Sequence, residues 1–204
     1  MNVLPSCLQN LVLSKKFNKS LNHVSSTLYS LKLGECFNEE LDNIIIPSSL
    51  QKLTFGKYFN QKIKQGNLPN SLTYLKFGDC FDTFISKDML PEGLLYLEFG
   101  SNFNKPIQEG NLPSTIQYLK FGHEFNQLIS IKMLPIKLKY LGLRRDVGAK
   151  LEQESNYNKN TKEFITDRLD SNRKYNNSFV LDEYIVKIDD KINYVFVGEK
   201  TIYF

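Results

Sequence analysis

Between Leu72 and Pro91 the recurring apolar positions are Leu72, Leu75, Phe77, Phe81, Ile85 and Leu90, with Gly78 and polar residues among them. The Leu75–Lys76–Phe77 step alternates with period two, which predicts a short, half-buried strand. Gly78 then permits a turn. Pro91 removes a backbone donor, and the residues between Phe81 and Pro91 are too few for a long helix. The pattern therefore predicts one strand followed by a turn-rich return.

That unit repeats along the chain. Its Phe falls at Phe17, Phe37, Phe59, Phe81, Phe103 and Phe125, at an interval of 20 and then four of 22. Asn18, Asn38, Asn60, Asn104 and Asn126 follow directly, with Asp82 in the remaining copy. Leu-Pro or Ile-Pro ends at Pro5, Pro47, Pro69, Pro91, Pro113 and Pro135, and Val24-Ser25 stands in within the short first unit. "GNLP" at Gly66 and Gly110 alternates with "IS" plus "MLP" at Ile85 and Ile129, so the array grew by doubling a pair of units. One unit cannot bury its apolar edge alone, and stacked neighbours must supply the core. The expected fold is a mainly β repeat solenoid over residues 1–143, with coils of about 22 residues, one short strand per coil and little helix. At roughly 4.8 Å per paired strand, the arc is on the order of 30 Å long. Phe37, Phe59, Phe81, Phe103 and Phe125 are expected to form a buried spine. Asn38, Asn60, Asp82, Asn104 and Asn126 are expected to form a hydrogen-bonding ladder at the turn.

The L-x-x-L-x-L-x-x-N/C frame resembles a leucine-rich repeat. The F-N-x-x-I…L-P-x-S-L elaboration resembles the FNIP repeat family of amoebae and their giant viruses, most closely in "FNKPIQEGNLPSTIQYLKFG" from Phe103 to Gly122. The resemblance covers roughly residues 4–143. It implies an intracellular solenoid that binds proteins, in the cytoplasm of an amoebal or infected cell. Several members of that family carry an N-terminal F-box, which makes their repeats substrate receptors of ubiquitin ligases. Here the repeats begin at Leu4, so no F-box is expected ahead of them.

Columns of equivalent positions offer the candidate chemistry. The third position of the unit is Tyr74, Tyr96, Tyr118 and Tyr140 in successive copies, after Ser30 and Lys52. Alternation points it away from the core and onto a concave sheet. Tyrosine suits an interface because it offers large area at small entropic cost, and stacked rings also support one another across strands. Both readings stand on the sequence, and an aromatic ladder could also hold carbohydrate. The fifth position, also outward, is Lys32, Thr54, Lys76, Glu98 and Lys120, and the eighth is Lys15, Glu35, Lys57, Asp79, Ser101 and His123. These mixed signs indicate a solvated face. The protein-binding candidates are Tyr74, Tyr96, Tyr118, Tyr140, Lys32, Lys76, Glu98 and Lys120.

The remaining residues narrow the class. A formal charge of +4 is well below the concentrated basic surface of nucleic-acid binders. No run approaches the length of a membrane span, and the N-terminus lacks the pattern of a secretory signal. Cys36 and Cys80 occupy the leucine-rich-repeat N/C site two coils apart, and are expected to be free, mostly buried thiols. His23 and His123 fall in different coils, the carboxylates are scattered, and no metal, phosphate or nucleophile motif appears. A non-enzymatic protein with no cofactor and no metal is expected.

After Leu143 the period stops. Residues 144–160 read as a polar linker, and 161–204 as a C-terminal α+β cap: a short helix over "TKEFITDRL", then a three-strand meander turning at Asp189-Asp190 and Gly198-Glu199. An independent interaction module is the alternative for this tail. At the other end, the edge of "LQNLVL" is open, which suggests a homodimer, a covering partner or a longer ancestral protein. The function expected is a protein–protein interaction scaffold or receptor, with a self-associating structural protein as the alternative.

Overall fold

The structure is a computed structural model that describes residues 5–19, 21, 25–127, 129, 131–143 and 194–197. It shows the expected solenoid of the leucine-rich kind. Seven short strands follow the repeat: β1 (Asn10–Val12), β2 (Ser30–Lys32), β3 (Lys52–Thr54), β4 (Tyr74–Lys76), β5 (Tyr96–Glu98), β6 (Tyr118–Lys120) and β7 (Tyr140–Leu143). All pair in parallel, in chain order. Among the described residues, helix is confined to two three-residue 3-10 turns, Leu41–Asn43 and Ile131–Met133. An eighth strand, β8 (Tyr194–Val197), pairs in parallel with β7 and continues the sheet. The linker, the helix and the rest of the meander expected beyond Leu143 lie outside the described residues.

Each strand sends its central Leu inward. Leu31, Leu53, Leu75, Leu97, Leu119 and Leu141 are register partners in one column, all buried. The expected Phe spine is buried too, and it has a companion. Phe55, Phe77, Phe99 and Phe121 form a second column, and each stacks on the Phe four residues later at 3.8–4.0 Å between ring centroids. Along the spine itself, rings of successive coils lie 6.0–6.2 Å apart. Burying each such side chain stabilises the fold by about 1.5–3 kcal/mol. No coil could do this alone, since every ring's neighbours come largely from adjacent coils.

Two tight turns close each coil. In the fourth, the Leu72 N–H donates to the Pro69 carbonyl and the Phe81 N–H to the Gly78 carbonyl. The glycine after the strand does more than permit a turn. A Cβ on Gly56, Gly78, Gly100 or Gly122 would overlap the carbonyl oxygen of the glycine one coil earlier. Close approach between coils demands glycine here. Positive φ occurs elsewhere, at Gly66 (86°), Gly110 (79°) and, at the equivalent place between them, Asp88 (65°).

Side chains tie coil to coil. Asn38, Asn60, Asp82 and Asn104 each accept, through Oδ1, the backbone N–H of the same position one coil later, at 2.8–3.0 Å. Only an acceptor oxygen is used, which is why Asp82 substitutes for Asn. Its second oxygen takes the Lys105 ammonium at 2.7 Å. At the Leu-Pro corner, Ser49 and Ser71 reach back to donate to the carbonyls of Leu28 and Leu50.

One expectation fails. Cys36 is exposed and Cys80 half-buried, although both are free as expected. Their backbone N–H groups already donate to the carbonyls of Lys15 and Lys57 one coil earlier. No buried side chain is needed to satisfy the turn there, so this position faces solvent, as exposed Tyr58 does in the same column.

Candidate functional site

Strand alternation that sends Leu75 inward sends Tyr74 and Lys76 out, and the pattern holds in β5 and β6. Register then aligns Tyr74, Tyr96, Tyr118 and Tyr140 in one row across the sheet. The rings stack at 4.3, 4.2 and 4.0 Å, within 13° of parallel. Parallel strands stand about 4.8 Å apart, so identical aromatics in register have little choice but to stack. Tyr96 and Tyr118 therefore have both ring faces covered. What they offer a ligand is edges and hydroxyls, so a sugar ring has no aromatic face to lie on there. Ring stacking joins the four strands along this row and presents a continuous line of ring edges.

The neighbouring row runs Lys32, Thr54, Lys76, Glu98, Lys120. Three of its members, Lys76, Glu98 and Lys120, act together. Glu98 Oε2 accepts the Tyr96 hydroxyl at 2.5 Å, while Oε1 accepts from the Lys76 ammonium at 3.0 Å and lies 3.5 Å from that of Lys120. The Glu98 side chain is only 12% exposed, whereas those of Lys76 and Lys120 are 41% and 45% exposed. Burial pushes the Glu98 carboxyl up, but the Tyr96 hydroxyl and the two lysines outweigh it and hold it below its ordinary value. Burial first, and then the hydrogen bond to Glu98, push the Tyr96 phenol far above its usual range. Burial lowers Lys76, yet its bond to Glu98 prevails and keeps it charged to higher pH. Glu98 thus acts as a hub between the two rows, which period-by-period reading of the columns does not show.

Around the turn after the strands, the eighth column carries mixed signs, with a Lys15–Glu35 ion pair at 3.1 Å between two exposed side chains and His123 beside Glu124 at 2.9 Å. Among the described residues, no group of three His, Cys, Asp or Glu side chains is placed to hold a metal ion, and no helix is long and apolar enough to cross a membrane. His23 lies outside the described residues.

The FNIP Repeat family pattern matches the chain three times, at residues 24–58, 59–102 and 103–146, together more than half its length. Among solved structures, the chain is similar to CroV588, described as a novel circular LRR protein, with 39% identity and a TM-score of 0.60. That match takes in 74% of this chain and 25% of CroV588, so the chain spans a quarter of that protein's length. Among curated proteins none matches.

Proposed function

Because the chain belongs to the FNIP repeat family, we propose that it is a non-enzymatic protein-interaction scaffold or receptor that works through its sheet face. The observation that carries this reading is the Tyr74–Tyr140 row beside the Lys32–Lys120 row. Together they form a rigid surface of aromatic edges, hydroxyls and lysines, held by stacking and by the Glu98 hub. Large planar side chains already fixed in place lose little entropy on binding, which is what an interface core needs. Service as a substrate-recognition adaptor, in the cytoplasm of the cell that makes it, is the finer form of the same reading.

The test compares retention of a specific partner from a cell lysate by the wild type and two variants. One replaces Tyr74, Tyr96 and Tyr118 with Ser, and the other, Thr54→Trp, plants bulk in the lysine row without touching the ring stack. Both must keep a cooperative melt. Retention should fall about tenfold or more in each, the loss expected when a central contact is removed or blocked. A partner that survives both substitutions rules the sheet face out.

A further inference from the structure

The sheet face is electrically one-sided in a way that the chain as a whole is not. Among the outward positions of β1–β7 the charged residues are Lys32, Lys52, Lys76, Lys120 and a single carboxylate, Glu98. The outer residues of β1 and β7 are uncharged, being Asn10, Val12, Tyr140 and Gly142. Glu98 does not present its charge to an incoming partner, since both its oxygens are engaged and its side chain is mostly covered. Each ammonium carries three donors, and Glu98 takes one from Lys76. The face therefore offers four cations with spare donors beside the hydroxyls of Tyr74 and Tyr118, and no free anion among these positions. Lys76 and Lys120 share the charge of Glu98, and Lys52 lies over the Tyr29 ring.

On the proposal that this face is the interaction surface, we infer that its partner docks through an acidic, carboxylate-rich protein segment lying across the lysine row. Lysine ammoniums and phenol hydroxyls are all donors, and carboxylates are acceptors only. Complementary charge of this kind sets which partner is chosen and how fast it arrives. Single-stranded nucleic acid is the competing anion, but its sequence-tolerant binding draws on aromatic faces against which bases stack. The faces of Tyr96 and Tyr118 are occupied by their neighbours.

The experiment measures fluorescence anisotropy of a labelled peptide of alternating Glu and Gly, a matching Lys–Gly peptide and a thymidine oligonucleotide of equal charge. Each is titrated with the wild type and with two charge-reversed variants of equal net charge. The face variant carries Lys32→Glu, Lys52→Glu and Lys120→Glu. The control carries Lys19→Glu, Lys62→Glu and Lys87→Glu, exposed lysines on the return segments. The Glu–Gly peptide should bind the wild type and the control, weaken as salt rises, and lose about tenfold or more in affinity for the face variant. Absence of Glu–Gly binding, equal loss in both variants, or tighter binding of the oligonucleotide overturns the inference. A lysate partner blocked by Thr54→Trp, together with a silent Glu–Gly peptide, would leave the sheet face standing as the interface and remove only the acidic class.

Discussion

Two sets of glycines sit in this chain for different reasons, and the same substitution separates them. Gly66 holds φ at 86° with nothing within 4 Å of where a methyl group would sit, so alanine there meets only the left-handed backbone cost of about 1–2 kcal/mol. Gly56 has no such φ, but an added Cβ would collide with the carbonyl of Gly34. Relief requires two coils to part, and overpacking of rigid backbone costs about 3 kcal/mol or more. Urea unfolding of Gly66→Ala and Gly56→Ala should show the second as clearly the more damaging. Equal losses would mean that Gly56 serves only its own conformation. Sequence alone assigns that glycine to a turn, because a period shows where a residue recurs and not what lies one coil away. The cysteines mislead for the same reason. The leucine-rich frame suggests an inward site, but here the backbone of the preceding coil already meets the need.

At the scale of the strands, the row structure is legible in the sequence. Alternation puts Leu inward and Tyr outward, and a strict interval of 22 sets the register that stacks the rings. The Glu98 hub is not legible, because its partners come from β4, β5 and β6 and from two different columns. Its energetics have a defined pH signature. The folded Glu98 pKa is depressed, so its contribution is present above the ordinary value of 4.5 and is lost as pH falls through the folded value. Tyr96 is raised, so its contribution is complete below the ordinary 10.0 and fades as pH climbs above it. Between these limits stability should be flat on account of this cluster. Glu98→Gln should cost about 1–2 kcal/mol at neutral pH, the scale of lost charged hydrogen bonds. The gap to wild type should narrow in acid, as pH falls below the ordinary carboxyl value of 4.5 and on through the lower folded value, where Glu98 takes up its proton. Denaturant melts of both proteins across pH read this directly, and a gap that persists in acid would show that the carboxylate charge is not what holds the cluster.

Taken whole, the molecule is a near-uniform stack in which each coil touches only its neighbours. The pairwise doubling gives a clean test of that. Removing residues 59–102 joins Tyr58 to Phe103 and replaces the core and ladder contacts by their equivalents, Phe55 on Phe103 and Asn38 on Asn104. The Glu98 cluster and two stacks of the Tyr row go with the removed coils. The shortened chain should fold, unfold cooperatively at lower denaturant, and show a smaller m-value in proportion to the surface removed. A product without cooperative unfolding would mean that the two removed coils hold information the others lack.

The ties made at the turns and corners between coils have a direction, which the ion pairs Lys15–Glu35 and Lys76–Glu98 do not share. In the Asn ladder the acceptor always belongs to the earlier coil and the donor to the later one, and Ser49, Ser71, Gln61 and Lys105 all reach backward in the same sense. The stack consequently has polarity, like a filament with a plus and a minus end. Along that ladder the earlier end presents a backbone N–H and the later end a side-chain oxygen, so the two ends are chemically distinct.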